Sequence, residues 1–600
     1  MPIETIPELF LSAVRERPRP DCFSFRDKKT SQYVDVASTE AYRRVRALRH
    51  GLKSLGLRKG DRAALLSENR LEWALADLGI LCAGGVTVPI YPTLLPDTIG
   101  YILNDCKPKV IFLSTAEQAE KVHSLRSKMP FLQDVIAFEA ADLPNIMPFA
   151  KLLQIGANIV AENPPEPRED SGPSDRDDLA SIIYTSGTTG DPKGVMLTHH
   201  NFVSNVLGTE EVMDFTPQDR CLSFLPLSHV FERLVGYYTM LYRGVGIAYA
   251  DAIDTVPQDM LDAKPTIVVS VPRLYEKIYA RVLGTALAGS PLKKNIFFWA
   301  RQVGEDYGHK MRGGESISGL LKFKYNLAQR LVFKKLQART GGKLRFFISG
   351  GAPLSPKINE FFYAAGLIIL EGYGLTETSP ILTANTFKNF KIGSVGKPFP
   401  GTEIKIAEDG EILARGAQIM KGYYNNEPAT REVLSEDGWF ATGDIGHLDE
   451  EGFLFITDRK KDVIVTAGGK NIAPQPIENA IKENKFVSQV VVLGDKQPYL
   501  SCLIVPNFET LQEHAVKSSL AFTDLSGLIK HPEIAALFDS QIEHINAKLP
   551  SFNQIKKYAL LDHEFTLEGG ELTPTLKVKR WAIARKYRQV IDNLYPAALE

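Results

Sequence analysis

Ile182-Ile183-Tyr184-Thr185-Ser186-Gly187-Thr188-Thr189-Gly190-Asp191-Pro192-Lys193-Gly194 runs from an apolar triplet into a segment of hydroxyls and glycines. The triplet reads as a buried strand. Glycines 187, 190 and 194 let backbone N–H groups turn toward one anionic centre, and Thr185, Ser186, Thr188 and Thr189 add hydroxyl donors. Lys193 adds a positive charge, so the chemistry implied is polyphosphate binding. A flexible connector of Gly, Ser and Thr is the plainer reading, disfavoured by the density of hydroxyls and the place after a strand. The segment is not a Walker loop: counting from Gly187, Pro192 stands at the second glycine position and Gly194 replaces the required Ser/Thr.

Outward from this segment, Leu222–Leu225, Ile267–Val269 and Leu344–Ile348 read as further buried strands, with helical patterns over Thr39–Leu55 and Ser355–Ala365. Such alternation predicts an α/β architecture with largely parallel sheets. Ser349-Gly350-Gly351-Ala352-Pro353 follows one strand end, where ligand sites of α/β folds form. Glu371-Gly372-Tyr373-Gly374-Leu375-Thr376-Glu377-Thr378 follows the apolar run Leu367–Leu370. There Tyr373 can stack on a base, Thr376 can reach a phosphate, and Glu377 is a hard oxygen ligand for Mg²⁺. Each is equally a glycine turn before a helix cap. Glu403–Ile406 and Glu411–Leu413 alternate like exposed antiparallel strands, and a domain boundary is expected after Asp458–Lys461. Asn163–Asp178 reads as a solvated linker.

The 600 residues require two or more domains. Seventy basic residues against 71 acidic argue against a nucleic-acid binder, which needs a basic surplus. Five scattered cysteines without a Cys-x-x-Cys pair argue against a zinc site or a disulfide framework and point to a reducing cytoplasm. The start lacks the pattern of a secretory signal. Leu75–Leu95, the most apolar stretch, is broken by Asp77, Gly84, Gly85, Pro89 and Pro92, which predicts buried strands and turns, not a membrane span. Between Lys310 and Arg345 ten basic residues face only Glu315, beside an apolar side that includes Leu320, Leu327 and Leu331. Two readings stay open: a solvated helix face, or a peripheral helix on the inner membrane surface.

Taken together, these segments resemble the adenylate-forming (AMP-binding) superfamily of acyl-CoA synthetases, luciferases and peptide-synthetase adenylation domains, from about Asp61 to Arg580. Later motifs carry the resemblance further: Asp437–Gly446, Thr457–Asp462, and Leu572-Thr573-Pro574-Thr575-Leu576-Lys577-Val578-Lys579-Arg580. The fold implied is a large N-terminal domain (1–457) of mostly parallel sheets plus a β-barrel-like part, a hinge (458–461), and a small mobile α+β domain (462–600). The resemblance implies that Tyr373 and Gly351-Ala352-Pro353 hold adenine, with Glu371, Gly372, Gly374 and Ile456 around the nucleotide. Asp444 and Arg459 would hold the ribose hydroxyls, Thr188 and Thr376 phosphate, and Glu377 the Mg²⁺. Lys461 would be the pivot, and Gly468 would pass the coenzyme A arm unless it is a plain turn.

Composition alone makes Lys577 an ordinary surface lysine; its motif makes it the catalytic cation between the carboxylate and the α-phosphate of ATP. Within the superfamily the chain looks like the bacterial long-chain fatty acyl-CoA synthetases, through Pro226–Arg233, Val271–Tyr279, the insertion between Ala280 and Gly342, and a fatty-acid signature over Asp437–Lys461. Phe440-Ala441 departs from that signature's Leu-His. His229 is either part of the acyl-site wall or a core histidine. Some long-chain relatives gate the tunnel with a tryptophan where this chain has Arg233. The expected reaction is ATP-dependent activation of a long-chain fatty acid to acyl-AMP and transfer to coenzyme A. The rivals are a ligase loading an acyl carrier protein and an inactive lipid-binding relative.

Overall fold

The computed structural model describes residues 3–139, 143–162, 171–185, 191–566, 568–573 and 578–595. Among them, two large sheets share the N-terminal part. One is nine-stranded: its parallel centre contains Arg220–Ser223, Ile267–Ser270, Phe346–Ser349 and Ile368–Gly374, and its antiparallel edges are Tyr33–Val36 on one side and Ile381–Ala384 with Lys397–Pro398 on the other. The other is eight-stranded, parallel from Val86–Ile90 outward to Ile146–Pro148, and antiparallel where Leu179–Thr185, Lys193–Thr198 and Gly422–Tyr423 pair. The expected strands fall close to their predicted places because each is a short apolar run buried on both faces.

Leu75–Leu95 departs from expectation. Leu71–Cys82 is a helix, buried on every side, and only Val86–Ile90 is a strand. An apolar run does not distinguish a buried helix from a buried strand, and here enclosure on all sides removed the polar face that would have marked a helix. The helix packs closely on Ser38–Ser54: a Cβ at Gly79 would lie 2.6 Å from the Leu48 Cβ. Among the described residues no helix is long and apolar enough to cross a membrane.

Glu403–Ile406, Glu411–Arg415, Phe440–Leu448 and Leu454–Arg459 form a four-stranded antiparallel sheet. Beyond it a smaller unit has its own apolar core, built on Val487–Leu493, Leu500–Pro506 and Ile555–Leu560 and covered by helices such as Pro474–Lys482 and Pro532–Asn546. The basic insertion is a helical hairpin, Pro291–Arg312 and Gly319–Ala328, continued by a wider-turned Gln329–Phe333 and by Lys334–Arg339. Tyr307 stacks on Tyr325 with 3.9 Å between centroids, fastening the two long helices.

Candidate functional site

The polyphosphate candidate lies in the connection of a β-hairpin. Leu179–Thr185 and Lys193–Thr198 are antiparallel, and Thr185 stands opposite Lys193. Ser186, Gly187, Thr188, Thr189 and Gly190 lie outside the described residues, but the register fixes where the connection begins and ends. Lys193 Nζ sits 5.0 Å from the centroid of the Tyr423 ring. The Tyr423 hydroxyl donates to Glu377 Oε1 at 2.9 Å. One tyrosine therefore joins the hairpin lysine to the candidate metal carboxylate and keeps these opposite charges apart.

Glu371–Gly374 is the end of the strand Ile368–Gly374, which Leu375–Thr378 leaves, and Gly350–Pro353 leaves the end of its parallel neighbour, with Ser349 paired to Glu371. The two turns thus open side by side at carboxyl ends of strands, the usual ligand edge of α/β sheets. Gly351 has φ +80, a left-handed backbone suited to glycine, while Ala352 and Pro353 are exposed. A Cβ at Gly374 would meet the Pro380 carbonyl oxygen at 1.5 Å, so only glycine fits there. The Tyr373 hydroxyl donates to Asp444 Oδ2 at 2.6 Å, and Arg459 Nε lies 3.2 Å from Asp444 Oδ1. Asp444 and Arg459 face each other across adjacent antiparallel strands, and Ile456 pairs with Gly446 in the same ladder. Burial and the Asp444 charge push the Tyr373 phenol well up, so it stays a proton donor. Glu377 is within electrostatic reach of Arg459, which links this group to the hairpin group.

The resemblance places Glu371 around the nucleotide without a stated side-chain role. Its carboxyl is buried, accepts from Asn359 Nδ2 at 2.8 Å, and is pushed up to about 7 by burial. Asn359 thereby supports the turn from beneath.

For a metal, the candidate is the Glu377 carboxylate, and among the described residues no cluster of three or more His, Cys, Asp or Glu forms a metal site. That donor set fits Mg²⁺, which binds through one or two carboxylates plus phosphate oxygens and water.

His229, the candidate for the acyl-site wall, is half-buried, and its Nδ1 accepts from the Phe231 amide at 3.2 Å. A Cβ at Gly350 would lie 3.0 Å from the Phe231 ring, so this segment adjoins the Ser349–Pro353 turn. Arg233 is wholly buried: Nη2 donates to Asp77 Oδ1 at 2.5 Å, Nη1 to Ser181 Oγ at 2.7 Å, and Nε to the Tyr238 hydroxyl at 2.9 Å. It is a core ion pair and not a movable flap.

Toward the small domain, Lys460 is fastened to the four-stranded sheet, its Nζ 2.6 Å from Asp409 and 2.7 Å from Glu411 and its amide donating to the Gly443 carbonyl at 2.8 Å. Lys461 is exposed. Gly468 lies in an exposed turn. An added Cβ there would meet only the Thr466 hydroxyl, at 4.0 Å, so neither backbone nor packing demands this glycine. Thr376 is half-buried in the turn that carries Glu377. Lys577, with Pro574, Thr575 and Leu576, lies outside the described residues; Leu572 pairs with Val578 to close the segment at its base. Tyr423 and Asn359 were not legible in the sequence, because their partners lie 46 and 12 residues away and meet only through sheet pairing and helix packing.

Fold and site define a nucleotide-binding α/β protein with a separate small domain. The chain belongs to the AMP-binding enzyme family: the family's model matches residues 13–424, and that of the AMP-binding enzyme C-terminal domain matches residues 461–599. It is 38% identical over 584 residues to the long-chain-fatty-acid–CoA ligase FadD15 of Mycobacterium bovis, covering 97% of this chain and 95% of that protein. Against the peroxisomal long chain acyl-CoA synthetase 6 of Arabidopsis thaliana it is 34% identical, covering 92% and 80%. Among solved structures, the adenylation domain of a carboxylate reductase from Mycobacterium chelonae superimposes with TM-score 0.79 at 22% identity, covering 99% and 91%.

Proposed function

We propose that this chain is a long-chain fatty acid–CoA ligase. The observation that carries the reading is the joined group Tyr373–Asp444–Arg459 standing beside Lys193–Tyr423–Glu377 at the strand ends. The first group offers a ring face and a carboxylate–guanidinium pair for a nucleoside; the second offers a cation and a metal-binding carboxylate for its phosphates. A fatty carboxylate oxygen attacks the α-phosphorus of ATP, the α–β anhydride bond breaks, and pyrophosphate leaves. The coenzyme A sulfur, having lost its proton to solvent, then attacks the acyl carbonyl carbon, and AMP leaves. Mg²⁺ held by Glu377 would neutralise phosphate oxygens. Thr188 and Thr376 orient the phosphates, His229 lines the acyl side, and Gly468 leaves room for the pantetheine arm. Lys577 bridges the two reacting anions, and the domain beyond residue 461 turns at Lys461 between the half-reactions. The 38% identity to a protein named for this activity, over nearly the whole of both chains, supports the substrate class.

The test is pyrophosphate release with ATP, Mg²⁺ and fatty acids of graded length, with and without coenzyme A, while the acyl product is identified. Sustained turnover that requires coenzyme A and peaks at long chains is expected. Acyl adenylate that accumulates and ignores coenzyme A would reassign the chain to carrier-protein loading.

The proposal extends to a cytoplasmic enzyme resting on the inner face of a membrane. All five cysteines are buried free thiols. The two ends of the basic segment are occupied, Lys310 by Glu315 at 2.7 Å and Arg345 by Asp219 at 2.5 Å. Between them, Leu320 (64% exposed) and Phe323 (66%) fall with Leu327 and Leu331 on one helix face, flanked by exposed Lys322, Lys324, Arg330, Lys334 and Lys335. No acidic residue occurs from Ser316 to Asn359. An apolar face edged by uncompensated cations fits an anionic bilayer. Sedimentation with phosphatidylglycerol vesicles should carry the protein down, and phosphatidylcholine vesicles should do so less. The double variant Leu320→Ser/Phe323→Ser is expected to weaken binding about tenfold or more. Binding indifferent to both the variant and the lipid charge would remove this face from consideration.

A further inference from the structure

Between the large and small domains, two buried polar atoms have no hydrogen-bond partner among the described residues: Asp458 Oδ2 and Arg580 Nε. Asp458 belongs to Leu454–Arg459, the last strand before the joint, and is 6% exposed. Its Oδ1 is taken by the amide of Arg459 at 2.6 Å. Arg580 opens the helix Arg580–Lys586 in the small domain, where Nη1 donates to Glu478 Oε1 at 2.6 Å and to the Val492 carbonyl at 2.6 Å. The guanidinium acts electrostatically on Asp458, as do the carboxylates of Asp462 and Glu478. One cation is therefore faced by three carboxylates, two in the small domain or its joint and one from the other side of the joint.

Buried polar atoms left unpaired are costly, so their persistence on both sides of one joint calls for an explanation. Each would be satisfied by the other after a small shift of the two units. Asp458 lies one residue from the candidate ribose ligand Arg459, and Arg580 lies two residues beyond Val578, which closes the Lys577 segment. A contact between them would tie the ribose strand to the segment that presents the lysine.

We propose that Asp458 is a positioning residue: paired across the joint with Arg580, it holds the small domain in one of its two working orientations and so sets the balance between the half-reactions. This rests on the ligase reading and on rotation at Lys461. Asp458 touches no reacting atom and acts only through the placement of the small domain.

The experiment measures both half-reactions separately, fatty-acid-dependent pyrophosphate release and thioester formation from supplied acyl adenylate, in the full chain and in Asp458→Asn and Asp458→Glu. The asparagine keeps the shape and removes the charge; the glutamate keeps the charge. Asp458→Asn should change the ratio of the two rates by about fivefold or more, one half-reaction gaining on the other, and Asp458→Glu should stay near the wild-type ratio. Tryptic cleavage at Lys461 should also be faster in the asparagine variant than in the other two proteins. The proposal is overturned if the ratio is unchanged, if both rates fall together, or if asparagine and glutamate shift it equally, which would mark a packing effect. A wild-type protein without either half-reaction would defeat the ligase reading instead, and the tryptic comparison would then judge the contact by itself.

Discussion

Lys577→Ala is expected to slow acyl-adenylate formation by at least on the order of 10²-fold while leaving thioester formation from supplied acyl adenylate intact. The asymmetry follows from charge. In the first half-reaction a carboxylate must approach an α-phosphate, and a cation between them offsets their repulsion. In the second, the attacked carbonyl is already bonded to a good leaving group. Among the described residues near it in sequence, Leu572 pairs with Val578, and Arg580 is tied to Glu478 and the Val492 carbonyl. Single-turnover measurement of the two half-reactions decides the matter. Equal loss in both would move Lys577 from chemistry to structure.

Asp77→Ala is expected to have the largest effect on stability, a loss of about 3–5 kcal/mol. Asp77 and Arg233 are both wholly buried, and Asp77 also accepts from the Tyr238 hydroxyl at 2.6 Å and from Thr87 Oγ1 at 2.8 Å. Removing the carboxylate strands a guanidinium among the rings of Trp73, Phe202 and Tyr238, far from water. The paired replacement Asp77→Leu/Arg233→Met should recover much of the loss, because it removes both charges. Chemical denaturation of the single and double variants measures this. A single variant within about 1 kcal/mol of wild type would show that the guanidinium finds solvent.

The position of Arg233 also shows where the sequence misleads. Aligned by resemblance, it occupies a place where some relatives keep an acyl gate; in the fold it turns away into a network with Asp77 and Ser181, 156 and 52 residues distant. Motif position alone does not reveal which way a side chain points. The strands around Ile182 and Val268 were legible because an apolar run bounded by turns has few other uses. The candidate polyphosphate segment and the strand-end turns could be singled out because glycine, hydroxyl and charge occur there at close spacing, and Asp444 and Arg459 could be singled out only through the resemblance. Tyr423 could not be: its two neighbouring charges come from a strand and a turn that meet only when Gly422–Tyr423 pairs with Val195 and Met196. The start of Leu75–Leu95, part of the helix Leu71–Cys82, was read as buried strand and turn for a related reason, since total enclosure erased its periodicity.

The fastening of Lys460 to Asp409, Glu411 and the Gly443 carbonyl bears on the fate of the intermediate. With Lys460 anchored, a turn at Lys461 leaves Asp444 and Arg459 on the stationary side. On the proposed mechanism the nucleotide half of the mixed anhydride then stays in the custody of one rigid body, while its acyl carbonyl changes neighbours. An energy-rich anhydride retained this way has little opportunity to escape into water before the thiol arrives. One lysine next to the pivot would thereby act as a kinetic safeguard against wasteful hydrolysis.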